Sequence, residues 1–280
     1  MTVKIVTDST SDLTPALAKQ FNISVVPLTV SFGRESFQDR VEMSTDEFYR
    51  RLTTEETFPR TTQPSPNAFL SAYKKACPEA KDILVITISK KLSGTYESAL
   101  SAAQLLGKPE CKVEVINSEV TAAALGLLAI WASKQAAAGM PLAELKTAVE
   151  GRVADTKPVM AFDTLKYLAR GGRIGKAQGL LGSLLSGKPV LTIRDGEVAP
   201  LTRVRSMSAG IDVLYNFAAG HKQIDEMAVE YATTPDMADA LIDRLGAIYP
   251  KEKIYRTTVS PVLGSYMGPN VLSVSVMGKS

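Results

Sequence analysis

Histidine occurs once in the 280 residues, as His221, and cysteine twice, as Cys77 and Cys111. A single imidazole leaves most histidine-dependent mechanisms and histidine-based metal sites short of ligands. The two cysteines have neither metal-ligand spacing nor a C-x-x-C pair, which fits a chain kept in a reducing cytoplasm. Long apolar runs are also missing. The longest, Ala122–Ala132, has 11 residues, against the roughly 20 that a membrane-spanning helix needs. The apolar stretch at Met1–Asp8 is cut short by an acid, so it is not expected to act as a signal peptide. Charge of one sign is scarce as well: 32 basic against 29 acidic side chains leave +3, too little to mark a nucleic-acid binder.

What is present is ordinary globular composition, 45% apolar and 22% charged, which excludes a disordered chain, a collagen-like fibre and a coiled coil. At roughly 150 residues per domain, the length divides into about 1.9 units. The first half alternates strands and helices. Val3–Val6, the β-branched run Ile23–Phe32, Ile83–Ile88 and Val113–Ile116 read as strands. Helices are expected after the caps Thr14-Pro15 and Ser44-Thr45, and at Pro66–Ala76, Thr95–Leu106 and Thr121–Ala138. The last is apolar almost all round and therefore buried on most sides. This alternation predicts a mostly parallel sheet with helices on both faces. After Gly139-Met140-Pro141, a helix over Leu142–Val153 leads to strands at 159–162, 227–231, 254–259 and 271–277, and to a hairpin turned at Asp195-Gly196. The expected architecture is α/β in two domains: residues 1–153, and a smaller α+β layer over 154–280.

Phosphate-loop chemistry fails on spacing. Gly171 and Gly175 of Gly171-Gly-Arg-Ile-Gly-Lys176 are separated by three residues, and Ala177 stands where a Ser or Thr must hold magnesium. A serine-hydrolase elbow at Ser93 lacks the G-x-S-x-G pattern, and its only available base, His221, lies in a polar loop of the other half. What remains is a set of hydroxyl-bearing loops at strand C-termini: Thr7-Asp8-Ser9-Thr10, Thr61-Thr62-Gln63-Pro64 and Ser89–Thr95. Ligands of doubly wound sheets bind at that edge. A helix opening near Ser93-Gly94 aims free amides at it, a cradle for a carboxylate or phosphate. A second reading stays open, in which Ser93 and Thr61 simply cap helices.

Residues 170–205 hold seven cations (Arg170, Arg173, Lys176, Lys188, Arg194, Arg203, Arg205), two acids and seven of the 19 glycines. This stretch is either a contact surface for an anion or acidic partner, or a solvated rim. Tyr167 is the only aromatic near it, which disfavours nucleic acid.

Taken in order, these loops resemble the DegV family, whose members include the fatty-acid-binding subunits of bacterial fatty acid kinase. The resemblance rests on Thr7-Asp-Ser-Thr10, Thr61-Thr-Gln-Pro-Ser65, Leu92-Ser-Gly-Thr-Tyr96, Leu168-Ala-Arg-Gly-Gly-Arg-Ile174 and Arg203-Val-Arg205, and it covers essentially the whole chain. It implies a cytoplasmic carrier, itself no enzyme, that buries one long-chain fatty acid (palmitate or a similar C14–C18 acid) in a tunnel between or adjoining the two domains and presents the carboxylate to a separate ATP-dependent kinase. It implies no cofactor or metal. Thr61 and Ser93 match the family's carboxylate ligands. Thr62, Gly94 and Tyr266 complete the expected site, with Arg203, Arg170, Arg173 and Ser9 expected around the head group or the partner contact. Two positions depart from the family pattern. Gly264-Ser-Tyr266-Met-Gly-Pro-Asn270 carries tyrosine in place of the family's histidine, so a neutral donor replaces one able to carry positive charge. Asn117-Ser118 stands for the family's Asp-Ser. A stand-alone enzyme acting on a small phosphorylated or acidic substrate, and a lipid sensor without a kinase, are the alternatives.

Overall fold

In the computed structural model, which describes residues 3–107, 111–181 and 187–279, the chain opens with β1 (Val3–Asp8) paired in parallel to β2 (Ile23–Val26). The run read as one strand over 23–32 divides at Pro27. Proline has no N–H to give a ladder, and the chain leaves the sheet there. It re-forms as β3 (Thr29–Phe32), which joins β4 (Glu35–Gln38) and β5 (Arg60–Thr62) in a small antiparallel sheet. The segment holding Thr61, expected as loop, is thus the strand β5. Next come β6 (Asp82–Thr87) and β7 (Lys112–Asn117), giving a four-stranded, all-parallel sheet of order β2-β1-β6-β7.

Alternation along these strands explains the layers. Val6, Ile83 and Val85 face the helices Pro66–Ala76 and Thr95–Leu105, whereas Ile5, Leu84 and Ile86 share a core with the helix Ala122–Ala137. Residues i and i+2 share a face and i+1 takes the other, so a parallel strand needs apolar residues throughout.

The second half builds a six-stranded mixed sheet from β8 (Thr156–Phe162), β9 (Lys188–Arg194), β10 (Glu197–Val204), β11 (Gln223–Tyr231), β12 (Ile254–Thr258) and β13 (Val271–Lys279), in the order β10-β9-β8-β13-β11-β12. Only β11 and β12 pair in parallel; the expected β9–β10 hairpin turns at Asp195-Gly196, both at positive φ. One face of this sheet (Val159, Ala161, Val229, Val274) packs on the helices Met207–Ala219 and Pro235–Leu245. The other face (Met160, Phe162, Leu191) joins the core of the helix Ala122–Ala137.

That helix therefore lies between the two large sheets. Eleven of its 16 residues are buried, which is why it has no polar face. Gly126 lets the turn after β1 approach, since a Cβ there would sit 2.6 Å from the Ser11 carbonyl oxygen.

Candidate functional site

In the parallel sheet the chain reverses direction of growth between β1 and β6, so the crevice at their carboxyl ends is the place where a ligand is expected. Asp8 joins the two loops there. Its carboxylate accepts from Thr10 N–H (3.0 Å), Thr10 Oγ1 (2.5 Å) and Ile88 N–H (2.9 Å). Burial is the dominant influence and pushes the Asp8 carboxyl up to about 6, with the three hydrogen bonds pulling the other way.

A cavity of about 410 Å³ opens beside these loops, inside the roughly 300–1,000 Å³ typical of small-molecule sites. Its walls are mostly apolar and come from both halves of the chain: Leu28 and Ile88 from the first, Met160, Phe162, Ile193 and Leu263 among those from the second. The polar residues include Thr61, Thr62, Gln63, Ser93 and Tyr266, and Arg173 is the one charged residue lining it among those described.

Each polar group is placed by a distinct element. Tyr266 lies in the last turn of a helix, Pro261–Met267, between the strands expected at 254–259 and 271–277; Ser260 caps it, accepting from Leu263 N–H at 3.4 Å, and Pro261 occupies its first turn. The Tyr266 hydroxyl is hydrogen-bonded to Thr61 Oγ1 on β5, across 205 positions of sequence. Ser93 Oγ meets Thr95 Oγ1 at 2.9 Å. Among the described residues, neither Thr61 nor Ser93 caps a helix. Ser65 caps Pro66–Ala76, and Gly94 begins Thr95–Leu105 without a side-chain cap. The capping alternative for these two hydroxyls is thereby set aside. Gly94 is glycine because Gln63 lies over it: a Cβ would come within 2.4 Å of Gln63 Oε1, and Gln63 Nε2 is itself tied to Ser98 Oγ at 3.3 Å.

Arg173 extends across the mouth. Its Nε donates to the Leu92 carbonyl (3.2 Å), its Nη1 to the Gly171 carbonyl (3.1 Å), and its guanidinium stands 5.6 Å from the centre of the Tyr266 ring. It also lines two surface depressions that share residues with the cavity. One contains Phe58, Arg60, Arg170 and Tyr266, and the other Lys90, Lys91, Ser93 and Gly94. Arg170 lies over the Phe58 ring at 4.3 Å.

The structure thus brings together Thr61, Thr62, Ser93, Tyr266 and Arg173 at the cavity, with Gly94 and Arg170 in the adjoining depressions. Two other expected residues stand apart from it. Ser9 is buried, accepts from Leu28 N–H at 3.0 Å and is hydrogen-bonded to the Asp39 carboxyl; that fixes the turn after β1, and Ser9 does not line the cavity. Arg203, on β10, donates to the Leu180 carbonyl at 2.7 Å and does not line the cavity. His221 packs edge-on to Phe217 and does not line the cavity either. Gln63, Leu92 and Thr10 line the cavity as well; the sequence gives them no ligand role of their own, although each lies within one of the hydroxyl-bearing loops. Among the described residues no helix is long and apolar enough to cross a membrane, and no cluster of acidic, histidine or cysteine side chains is arranged to hold a metal ion.

Comparison with known proteins places this architecture. The profile of the DegV family, described as an uncharacterised protein family, matches residues 2–279. A DegV domain-containing protein of Streptomyces coelicolor is 37% identical over 282 residues, covering 99% of each chain. A DegV family protein from Thermus thermophilus, described by its fatty acid binding, superposes with a TM-score of 0.90 at 32% identity, covering 99% of this chain and 100% of its own. DegV from Bacillus subtilis, described as a fatty acid binding protein, superposes with a TM-score of 0.88 at 26% identity over the whole of both chains. This chain belongs to the DegV family.

Proposed function

We propose that the protein is a non-catalytic carrier for one long-chain fatty acid. The acyl chain occupies the apolar cavity, and the carboxylate rests on Thr61 and Ser93 beside Arg173, with Tyr266 holding the Thr61 hydroxyl. The observation that carries this reading is the make-up of the cavity: its walls are mostly aliphatic and aromatic, and Thr61, Ser93, Tyr266 and the one guanidinium, Arg173, are shared with the surface depressions beside it. The described binding of fatty acid by the Thermus and Bacillus relatives supports it.

The energetics are in proportion. A C16 acid has about 14 methylenes, and at roughly 0.8 kcal/mol each the gross gain is about 11 kcal/mol. Lost freedom and polar desolvation consume part of that, and the remainder suffices for a ligand that survives purification. Hydroxyls hold a carboxylate without a fixed ion pair and leave one oxygen open to a phosphoryl donor. A separate ATP-dependent kinase is therefore the proposed partner, docking in the cytoplasm on the basic rim that includes Arg170. The division into domains of residues 1–153 and 154–280, with the cavity adjoining both, accords with the two large sheets lying on either side of residue 153.

Native mass spectrometry of the purified protein, with its denatured extract analysed for free acids, tests the reading. One C14–C18 acid per chain is expected. A bare chain mass that palmitate or oleate leaves unchanged would overturn it in favour of a small acidic substrate.

A further inference from the structure

Behind the wall formed by Thr10, Thr121 and Val262 lies a group of charged side chains that the head-group site does not use. Asp12, from the turn after β1, is fully buried. Its Oδ1 accepts from Ser260 N–H (3.0 Å) and faces Arg40 Nη2 at 3.6 Å. Asp39, 1% exposed, accepts from Val262 N–H at 3.3 Å. Glu230, fully buried on β11, accepts from Ser273 Oγ at 3.1 Å, and the Ala123 amide at the start of the helix Ala122–Ala137 favours its charged form. Arg40 is committed in part to the Thr258 backbone carbonyl. Two of these residues, Asp12 and Arg40, hold left-handed backbone conformations (φ 49° and 60°), which a side chain adopts only where its surroundings enforce it.

The charges do not balance. Three buried carboxyls share one guanidinium. Ser9 is hydrogen-bonded to the Asp39 carboxyl, but Asp12 Oδ2 and Glu230 Oε1 have no N–H or O–H partner among the described residues. A buried carboxylate oxygen without a donor is costly, and the cost disappears when a proton is shared. The Asp12 and Glu230 carboxyls meet directly, which is the arrangement a shared proton requires.

We propose that Asp12, Asp39 and Glu230 are positioning residues of the lipid site: a proton shared within this cluster holds the helix Pro261–Met267, which carries Leu263, Tyr266 and Met267, against the cavity, and loss of that proton loosens it. The inference rests on the fatty-acid reading above for its ligand, but not for its mechanism. The connection is short. Asp12 and Asp39 bond the Ser260 and Val262 amides that begin the helix, and four residues later the same helix supplies the Thr61 partner.

The groups facing the cluster from the surrounding elements are few. Asp8 stands beside Asp12 on the β1 side. Tyr49 comes from the helix Thr45–Thr54, with its hydroxyl 3.3 Å from the Val259 carbonyl. Arg40 is the single cation, and β12, β13 and the two flanking helix starts contribute only hydroxyls and amides. Burial drives all three carboxyls upward, Asp39 to about 7, while hydrogen bonds (from Ser9 at Asp39) and the charge of Arg40 oppose it. A carboxyl raised by folding contributes stability that is complete below its free value, near 4, and is lost as pH rises through the raised value. The helix is therefore held most firmly on the acid side and released towards alkaline pH.

Two readouts test this on the full chain. The first is dissociation of radiolabelled palmitate, chased with unlabelled acid. The second is hydrogen exchange of the 262–267 amides, expressed as an opening equilibrium so that intrinsic rates cancel. Between about pH 6 and pH 8.5, palmitate release and helix opening should each rise about tenfold or more, the factor carried by one unit of pKa difference between closed and open forms. Glu230→Gln keeps the shape and supplies a permanent N–H in place of the shared proton, so release and opening should rise distinctly less with pH than in the wild type, the remainder belonging to Asp39 and Asp12. Asp12→Asn tolerates the same backbone conformation and repeats the test should Glu230→Gln not fold. Release and opening that do not change with pH in the wild type, or that change equally in the amide variant, would overturn the proposal. Failure of palmitate to bind at any pH would instead refute the fatty-acid reading, and exchange of the helix amides alone would then decide the latch by the same two criteria.

Discussion

A count of hydroxyl protons at the mouth of the cavity gives a prediction with a definite form. Thr61 and Tyr266 each own one hydroxyl proton and are bonded to each other. One proton is spent between them, and only one remains for a ligand carboxylate. On the fatty-acid reading the prediction is that the two residues act in series, Tyr266 donating to Thr61 and Thr61, its oxygen polarised by that bond, donating to the carboxylate. Tyr266→Phe removes a hydroxyl–hydroxyl bond and leaves the donor to the ligand in place. The loss should be that of a neutral hydrogen bond, about 0.5–1.5 kcal/mol, or about 2- to 13-fold in palmitate Kd. Thr61→Val removes the bond to the charged acceptor, about 1.5–3 kcal/mol, or about 13- to 160-fold.

The double variant is the decisive measurement. Groups in series cannot lose the same bond twice, so Thr61→Val/Tyr266→Phe should bind within about twofold of Thr61→Val alone, a coupling of at least about 0.5 kcal/mol. Isothermal titration with palmitate on the delipidated protein reads all four affinities, and thermal melts of the unliganded forms check that the cavity is intact. Losses that multiply, with a coupling below about 0.3 kcal/mol, would refute the reasoning and mean that each hydroxyl touches the ligand independently.

The basic rim separates in a different way. Arg170 stands over Phe58 outside the cavity, whereas Arg173 lines it and holds the Leu92 carbonyl; Arg170→Glu should weaken association with a fatty acid kinase and leave palmitate Kd within about twofold, and Arg173→Glu should weaken both. Equal losses of lipid affinity in the two variants would contradict a docking role for Arg170. Val198 lines the cavity, so Val198→Phe should shorten the acyl chain it accepts. Two methylenes left unburied cost about 1.6 kcal/mol, and competitive loading read by mass spectrometry should shift about 15-fold from C18 towards C14 acids.

The parts of the site legible in the sequence are the local ones. Thr61-Thr62-Gln63 and Ser93-Gly94 follow or flank apolar runs and carry hydroxyls where a doubly wound sheet presents its loops, so a reader can place them without knowing what lies opposite. Two unanticipated features had local signals that were available. Pro27 inside a β-branched run marks the end of one strand and the start of another. Ser260-Pro261 is a cap followed by a first-turn proline, which announces the helix that carries Tyr266.

Other contacts had no such signal. The Thr61–Tyr266 bond spans 205 positions and the Arg173–Leu92 bond 81, and neither leaves a periodicity or a spacing to read. Glu230 is intermediate. A carboxylate inside the apolar strand Met227–Ala232 is an anomaly visible in one line of sequence, but its partners Asp12 and Arg40 lie about 200 residues away and only the fold supplies them.

This dependence on long-range contacts bears on what the ligand does for the protein. The donors come from β5, from the loop after β6, from the turn following Arg170 and from the helix Pro261–Met267, while the apolar walls come from both large sheets. An empty cavity leaves those walls without contact partners on one side, and dispersion is forfeited wherever a surface faces a void. An acyl chain restores the contacts and joins elements that are otherwise linked by single hydrogen bonds at the mouth. Ligand that binds only the folded chain adds about 2.7 kcal/mol at a hundredfold excess over Kd. That is comparable to the loss of a large core side chain. On the fatty-acid reading the ligand would be a structural member of the cavity as well as its cargo. Release would then require the elements around the mouth to part, and the helix bearing Tyr266, anchored at its start by two buried carboxyl groups, is the element whose hold can be changed without touching the ligand.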